Sequence, residues 1–334
     1  MAVQLSKLQQ SAALVLVALS GCSTDSQTAG TPVPDPRGCT WQVAQTTGKI
    51  ASPDLTELSS LSASRQFPDA LWAHNDAGNE ADLFLLGHNG ATKGQWRLTD
   101  SGDKASRDWE ASAVGPCRAT DPAGARACVW IGDIGDNTTS RNVVRLFRWL
   151  EPSVLPAAGT IAKVGNKGLG AWEVVRVRYP EGPQDAEAMV ILPDGRLVIA
   201  TKREDGKTVL YRVDAAPALD AKTLEVSAEL LATWNLLTDT VQAGAESRLT
   251  GADLSADGEL LFLRSRDYVW RLQGAGLLAG TAASIAGAVP GWERLALPPP
   301  GDKQGEAVAV DAAGAVWTSS EGKSEPLHKL VCTP

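Results

Sequence analysis

Four glutamates, Glu57, Glu110, Glu187 and Glu306, each open a short apolar run that ends in a turn, and a second apolar run follows. Carboxylates repeated in this way offer hard oxygen ligands to a cation, or acid and base groups to a reaction. The ends of the second runs bring companions: His74-Asn75-Asp76, Asp133, Lys202-Arg203, Arg264 with Arg266, and Ser320-Glu321. Asp108 and Asp185 precede Glu110 and Glu187 by two residues. The expected metal ligands are Glu57, Glu110, Glu187, Glu306, Asp76 and Asp133, with Ca²⁺ as the ion and no organic cofactor. The expected ligand-binding set is His74, Asn75, Asp108, Asp185, Lys202 and Arg264. So many like charges cannot all remain ionised and unpaired. Either a cation takes them, or Lys202 and Arg264 neutralise part of the set, or some hold protons. Each glutamate also has a plain structural use, bonding to the backbone of the next repeat and fixing its register.

Other motifs are weaker. His74-Asn75-Asp76-Ala77-Gly78 reads equally as a base beside a carboxylate and as a turn, because Asn, Asp and Gly are turn formers. Gly132-Asp133-Ile134-Gly135-Asp136-Asn137 alternates oxygen ligands like a calcium loop, but it lacks the EF-hand spacing and terminal Glu. No Gly-x-Ser-x-Gly elbow surrounds Ser59 or Ser320, and only 3 His are present. The pattern assigns no catalytic residue.

What positions these groups is a repeat. With Thr250 in place of a fifth glutamate, the copies are spaced 53, 77, 63 and 56 residues apart. A period of this size built from strands indicates small antiparallel sheets stacked radially, an all-β propeller of five four-stranded blades. The strands are expected at 54–62, 70–75, 82–86 and 94–98; 109–114, 128–132, 143–150 and 172–179; 186–192, 197–201, 208–213 and 228–234; 249–254, 260–263, 268–272 and 293–297; and 306–310, 316–319 and 326–332. The last blade lacks a fourth strand, and residues 40–44 are left to supply it, which closes the ring and removes sheet edges. The long interval from Glu110 to Glu187 leaves room for a sixth blade. Residues 236–246 are expected to hold a short helix. Eleven Trp against four Phe, with Trp72, Trp130, Trp270 and Trp317 in mid-strand, suit packing between blades.

The N-terminus reads as an export signal over residues 1–21, with Lys7, an apolar core at 12–19, and Leu19-Ser20-Gly21-Cys22 as its cleavage site. That site resembles a bacterial lipobox, in which Cys22 carries the lipid. Residues 22–37, rich in Ser, Thr, Gly and Pro, have tether composition, and 38–334 form a single domain. The expected location is the bacterial cell envelope, lipid-anchored outside the cytoplasm, periplasmic or at the cell surface. Four further Cys fit an oxidising compartment. Cys117 and Cys128 flank one loop, so a local bridge is natural; Cys39 and Cys332 come together if the ring closes. A net charge of −8 argues against nucleic acid as a partner, and a monomer is expected.

Together, Leu71-Trp72-Ala73-His74-Asn75-Asp76, Asp108-Trp109-Glu110, Asp185-Ala186-Glu187-Ala188, Thr250-Gly251-Ala252-Asp253 and Gly305-Glu306-Ala307 resemble an exported bacterial β-propeller lipoprotein family. It is distantly similar to phytase-like and esterase-like propellers. In those, acidic strand starts bind calcium and basic residues hold phosphate, which the resemblance extends here to the glutamates and to Lys202 and Arg264. The leading expectation is a module that binds a small molecule or protein through its acidic face. The alternative is a metal-dependent hydrolase of phosphoesters or esters.

Overall fold

The computed structural model describes residues 38–99, 108–118, 121, 125–167, 170–214, 224–236, 247–274, 287–288, 293–295, 297 and 304–334. The expectations for the signal, Cys22 and the tether lie outside these residues, as does the helix expected at 236–246, Leu236 excepted.

The described chain opens with β1 (Thr40–Trp41) and β2 (Gln45–Lys49). Blade one is β3 (Leu58–Ala63), β4 (Ala70–Asn75), β5 (Asp82–Gly87) and β6 (Thr92–Leu98). Blade two is β7 (Trp109–Gly115), β8 (Cys128–Asp133), β9 (Val144–Leu150) and, after β10 (Ile161–Val164), β11 (Glu173–Arg178). Blade three is β12 (Ala186–Ile191), β13 (Leu197–Thr201), β14 (Lys207–Val213) and, after β15 (Leu224–Ser227), β16 (Glu229–Asn235). Blade four is β17 (Leu249–Leu254), β18 (Leu260–Ser265), β19 (Val269–Gln273) and, after β20 (Gly287–Ala288), β21 (Glu293–Leu295). Blade five is β22 (Gly305–Val310), β23 (Val316–Ser320) and β24 (Pro326–Leu330), and β25 (Cys332–Thr333) ends the chain.

The architecture is a five-bladed β-propeller. Within each blade consecutive strands pair antiparallel, and the inner strands β3, β7, β12, β17 and β22 contact one another around a central channel. Five separate apolar clusters fill the five junctions between blades, which excludes a sixth. Trp72, Trp130, Trp270 and Trp317 are all buried in them, as blade packing requires. At three blade turns Gly195, Gly258 and Gly314 take φ of 80°, 77° and 78°, a left-handed conformation that other residues enter only at a cost.

Closure differs in detail from the expectation. The outer strand of blade five is β2, at 45–49, rather than 40–44, and it pairs antiparallel with β24. Thr40–Trp41 pairs instead with Cys332–Thr333 in a separate two-stranded sheet. The reason is local: Cys39 is bonded to Cys332 (Cα–Cα 5.4 Å), which holds β1 against β25 and leaves the next residues to join the blade. The second bridge, Cys117–Cys128 (Cα–Cα 5.0 Å), forms within its hairpin. Two disulfides suit an extracytoplasmic compartment.

A second feature was not anticipated. In blades two, three and four, the connection from third to fourth strand swings back and adds a parallel strand to the preceding blade. β10 joins β6, β15 joins β11 and β20 joins β16. The extra length between Glu110 and Glu187 holds one such excursion, β10, and not another blade.

Candidate metal centre

One irregularity recurs in every inner strand. The ladder to the second strand slips by one residue, leaving Ser59, Glu110, Glu187, Thr250 and Glu306 bulged out of register. A bulge of this kind re-aims a side chain, and four of these five, Thr250 being the exception, line one cavity at the channel mouth. Glu57, expected at the equivalent point of blade one, sits two residues earlier. Its carbonyl accepts the Asp76 N–H at 2.9 Å, as Asp185 accepts Lys202 N–H at 3.0 Å and Gln304 accepts Glu321 N–H at 2.8 Å. Glu57 therefore matches Asp108, Asp185 and Gln304, and the true ring position in blade one is Ser59. Its hydroxyl donates to the Glu110 carboxylate at 3.1 Å and carbonyl at 3.2 Å.

Among the described residues, the cavity, about 140 Å³, is lined by six carboxyl groups (Glu57, Asp76, Glu110, Glu187, Glu306 and Glu321) and by a single cation, Lys202; Leu58, Ser59, Asn137 and Gln304 complete it. Burial raises the proton affinity of Asp76, and its contact with Glu110 offsets part of that rise. Asp108 stands beside them, and oxygens of Asp76, Asp108 and Glu110 all lie within 4.8 Å of one another. Gly135 makes this approach feasible: a Cβ there would sit 2.5 Å from Glu110 Oε1 and 2.6 Å from Asp108 Oδ2.

Proton affinities follow. Burial, reinforced by Glu187, Asp76 and Asp108, holds Glu110 well above the carboxylate range. Burial and then Glu187 push Glu306 up to about 8. Asp108 rises to about 6 through burial and Asp76. Glu187 reaches about 7 by burial, even though its Oε1 accepts from Lys202 Nζ. Burial alone would pull Lys202 down, but Glu187, Glu110 and Glu306 more than offset it and keep the ammonium charged. In that pair burial therefore shows in Glu187, whose proton affinity stays raised, and not in the lysine. The second Glu187 oxygen, Oε2, is buried without a hydrogen-bond partner.

Several expected residues do other work. Asp133 and Asn75 occupy one equivalent position and clip the start of the inner strand. Asn75 Oδ1 accepts the Thr56 and Glu57 N–H groups, both at 3.0 Å, and Asp133 Oδ1 accepts Asp108 N–H at 3.1 Å. Ser320 does the same for Gln304 N–H at 2.9 Å. Asp133 is wholly buried and paired with Arg141 and Arg145, so it is a strut and not a metal ligand. Asp136 is likewise tied to the Ser140 hydroxyl and the Arg141 N–H, so Gly132–Asn137 does not wrap an ion. His74 is fully buried, donates from Nδ1 to the Asn75 carbonyl at 3.0 Å, and is held neutral by burial, at about 4. Asp185 accepts Asp136 N–H at 2.8 Å and joins blades two and three. Arg264 has no exposure and lies under the mouth, its guanidinium against Gly305, where a Cβ would be 1.7 Å from Nη2. Of the expected ligand set, Lys202 alone lines the cavity and Asp108 joins the carboxylate trio. Asn137, at the end of a second run, also lines the cavity; Gly135, Gln304 and the role of Ser59 were missed.

No protein-family model and no curated protein matches the sequence. Among solved structures, the chain is similar to the PQQ-bound form of aldose sugar dehydrogenase from Streptomyces coelicolor, at 14% identity and TM-score 0.45, over 90% of this chain and 100% of that one. It is also similar to a streptogramin B lyase structure, at 8% identity and TM-score 0.41, over 88% and 98% of the two chains. These likenesses transfer no activity to this chain.

Proposed function

We propose that this chain is a lipid-anchored envelope protein whose channel mouth holds a divalent cation on Asp76, Asp108 and Glu110, and that the loaded mouth binds a small polar ligand. Residues 1–21 act as the signal, Cys22 carries the lipid, and 22–37 tether a propeller domain. The observation that carries the reading is the convergence of those three carboxyl oxygens within 4.8 Å beside a cavity of six carboxyl groups and one ammonium. An all-oxygen, carboxylate-rich donor set suits Ca²⁺, and a cation there would offset the mutual repulsion of these carboxyl groups. Lys202, directed at Glu187, leaves one positive group to orient an anionic part of a ligand. Calorimetric titration of the full chain with calcium tests this: saturable binding supports it, and none at millimolar calcium refutes it. Membrane fractionation of Cys22→Ala tests the anchor, since an unchanged membrane fraction removes it.

The second reading, a metal-dependent hydrolase, has one observation behind it. Glu306, held near 8, brings a protonated carboxyl group into the same cavity as Glu110 and Glu187, where it would serve as a general acid. Turnover of phosphoester or ester substrates abolished by chelation would favour the enzyme over the module.

A further inference from the structure

The excursion between β9 and β11, described over residues 151–167 and 170–172, does more than add a strand to blade one. Together with Trp96 of β6, Trp149 and Leu150 of β9 and Arg126, it encloses a groove of about 490 Å³ on the outer wall, away from the channel mouth. That volume falls in the range of small-molecule sites. The back wall is tryptophan: Trp96 and Trp149 are each 4% exposed and lie against each other and Trp72. The sides are apolar, with Pro152, Val154, Ala162 and Val164. Three of the five large apolar side chains exposed among the described residues ride on this excursion: Val154 (74%), Leu155 (39%) and Ile161 (40%).

Its charge is opposite to that of the chain. Among the described residues, Arg126, Lys163 and Lys167 line the groove and no carboxylate does. The nearest acid in sequence, Glu151, is 1% exposed and turned inward onto Ser64, the Gln66 N–H and Trp72 Nε1. On a protein of net charge −8, an apolar trough edged by three cations selects for an anionic head on an apolar body. We propose that this groove is a second binding site, separate from the channel mouth, for a small carboxylate-headed amphiphile of the fatty-acid type. The tail lies along Val154, Ala162 and Val164 against the tryptophans, and the head pairs with Lys163 and Lys167.

Decanoate is the probe, titrated into the full chain held in nanodiscs of zwitterionic lipid and followed by tryptophan emission and calorimetry. Saturable one-to-one binding is expected. Decanol, with the same tail and no charge, should bind about tenfold more weakly, as should Lys163→Ala/Lys167→Ala with decanoate, because a charged hydrogen bond is lost in each case. Val154→Glu, at a position exposed enough to leave the fold intact, should weaken decanoate similarly by repelling the head. Absence of saturable binding overturns the proposal, as does decanol binding as well as decanoate, or indifference to all these substitutions. If the chain instead sediments with anionic vesicles in a lysine-dependent manner that decanoate does not reverse, the face is a membrane-docking surface and the ligand site is refuted.

Discussion

The two halves of the channel mouth solve the same geometric problem with opposite chemistry. On the side of blades one to three, bulged Glu110 and Glu187 meet Asp76 and Asp108, and Lys202 is the one cation lining the mouth among the described residues. Across the ring, blade four presents Thr250 at the same bulge. Its hydroxyl donates to the Gly305 carbonyl at 2.8 Å, and Arg264 lies against Gly305 of blade five, the position held by Leu58, Trp109 and Leu249 in blades one, two and four. Blade four closes its part of the mouth with a backbone hydrogen bond and a buried guanidinium. The rest of the mouth, Glu306 and Glu321 of blade five included, keeps carboxyl groups that only protons or cations can quiet. The bulge is therefore a framework device, and what it is used for depends on the side chain placed there.

The comparison can be broken from either side. Gly305→Leu restores the apolar residue of the other blades and drives Arg264 from its place. Displacing a buried charge predicts a loss of about 3 kcal/mol or more in urea unfolding, with cation affinity little changed. Gly135→Ala attacks the acidic half, forcing a methyl to within 2.5 Å of Glu110 Oε1. Overpacking predicts a loss of about 1–3 kcal/mol together with the calcium response; an alanine variant that still responds fully would move the cation elsewhere in the mouth.

A third test is pH. Glu187 at about 7 and Glu306 at about 8 take up protons on folding. Cation-free protein should therefore be most stable near pH 4.5 and lose stability as pH rises toward 8, by at most about 1.4 kcal/mol per pH unit for each group. Calcium competes with those protons, so its affinity should rise across the same window. A melting temperature flat in pH without calcium would deny the raised carboxyl groups.

The sequence made the repeat, the five-blade count and both disulfide pairs legible, because alternating apolar runs and turn residues specify strands directly. Register was less legible. Glu57 imitates the repeated glutamate, but the recurring unit is an apolar, polar, small triplet: Trp109-Glu110-Ala111, Ala186-Glu187-Ala188, Leu249-Thr250-Gly251 and, in blade one, Leu58-Ser59-Ser60. Matching the triplet instead of the acid would have found Ser59. Asp133 and Asn75 misled for a different reason, since a side chain that caps backbone N–H groups has the same composition as a metal ligand. The excursion strands left no signal beyond a long interval, because residues 161–164 pair outside their own blade.

The central claim, a cation on Asp76, Asp108 and Glu110, is tested most directly by the calcium dependence of the melting temperature in the parent chain and in Asp76→Asn/Asp108→Asn. Calcium at a hundredfold excess over its dissociation constant should stabilise the parent by about 2.7 kcal/mol, reversibly on chelation. The double variant should show no such rise, while being no less stable than the parent without calcium, since it loses mutual repulsion. A rise of equal size in the double variant, or no rise in the parent at millimolar calcium, would contradict the account.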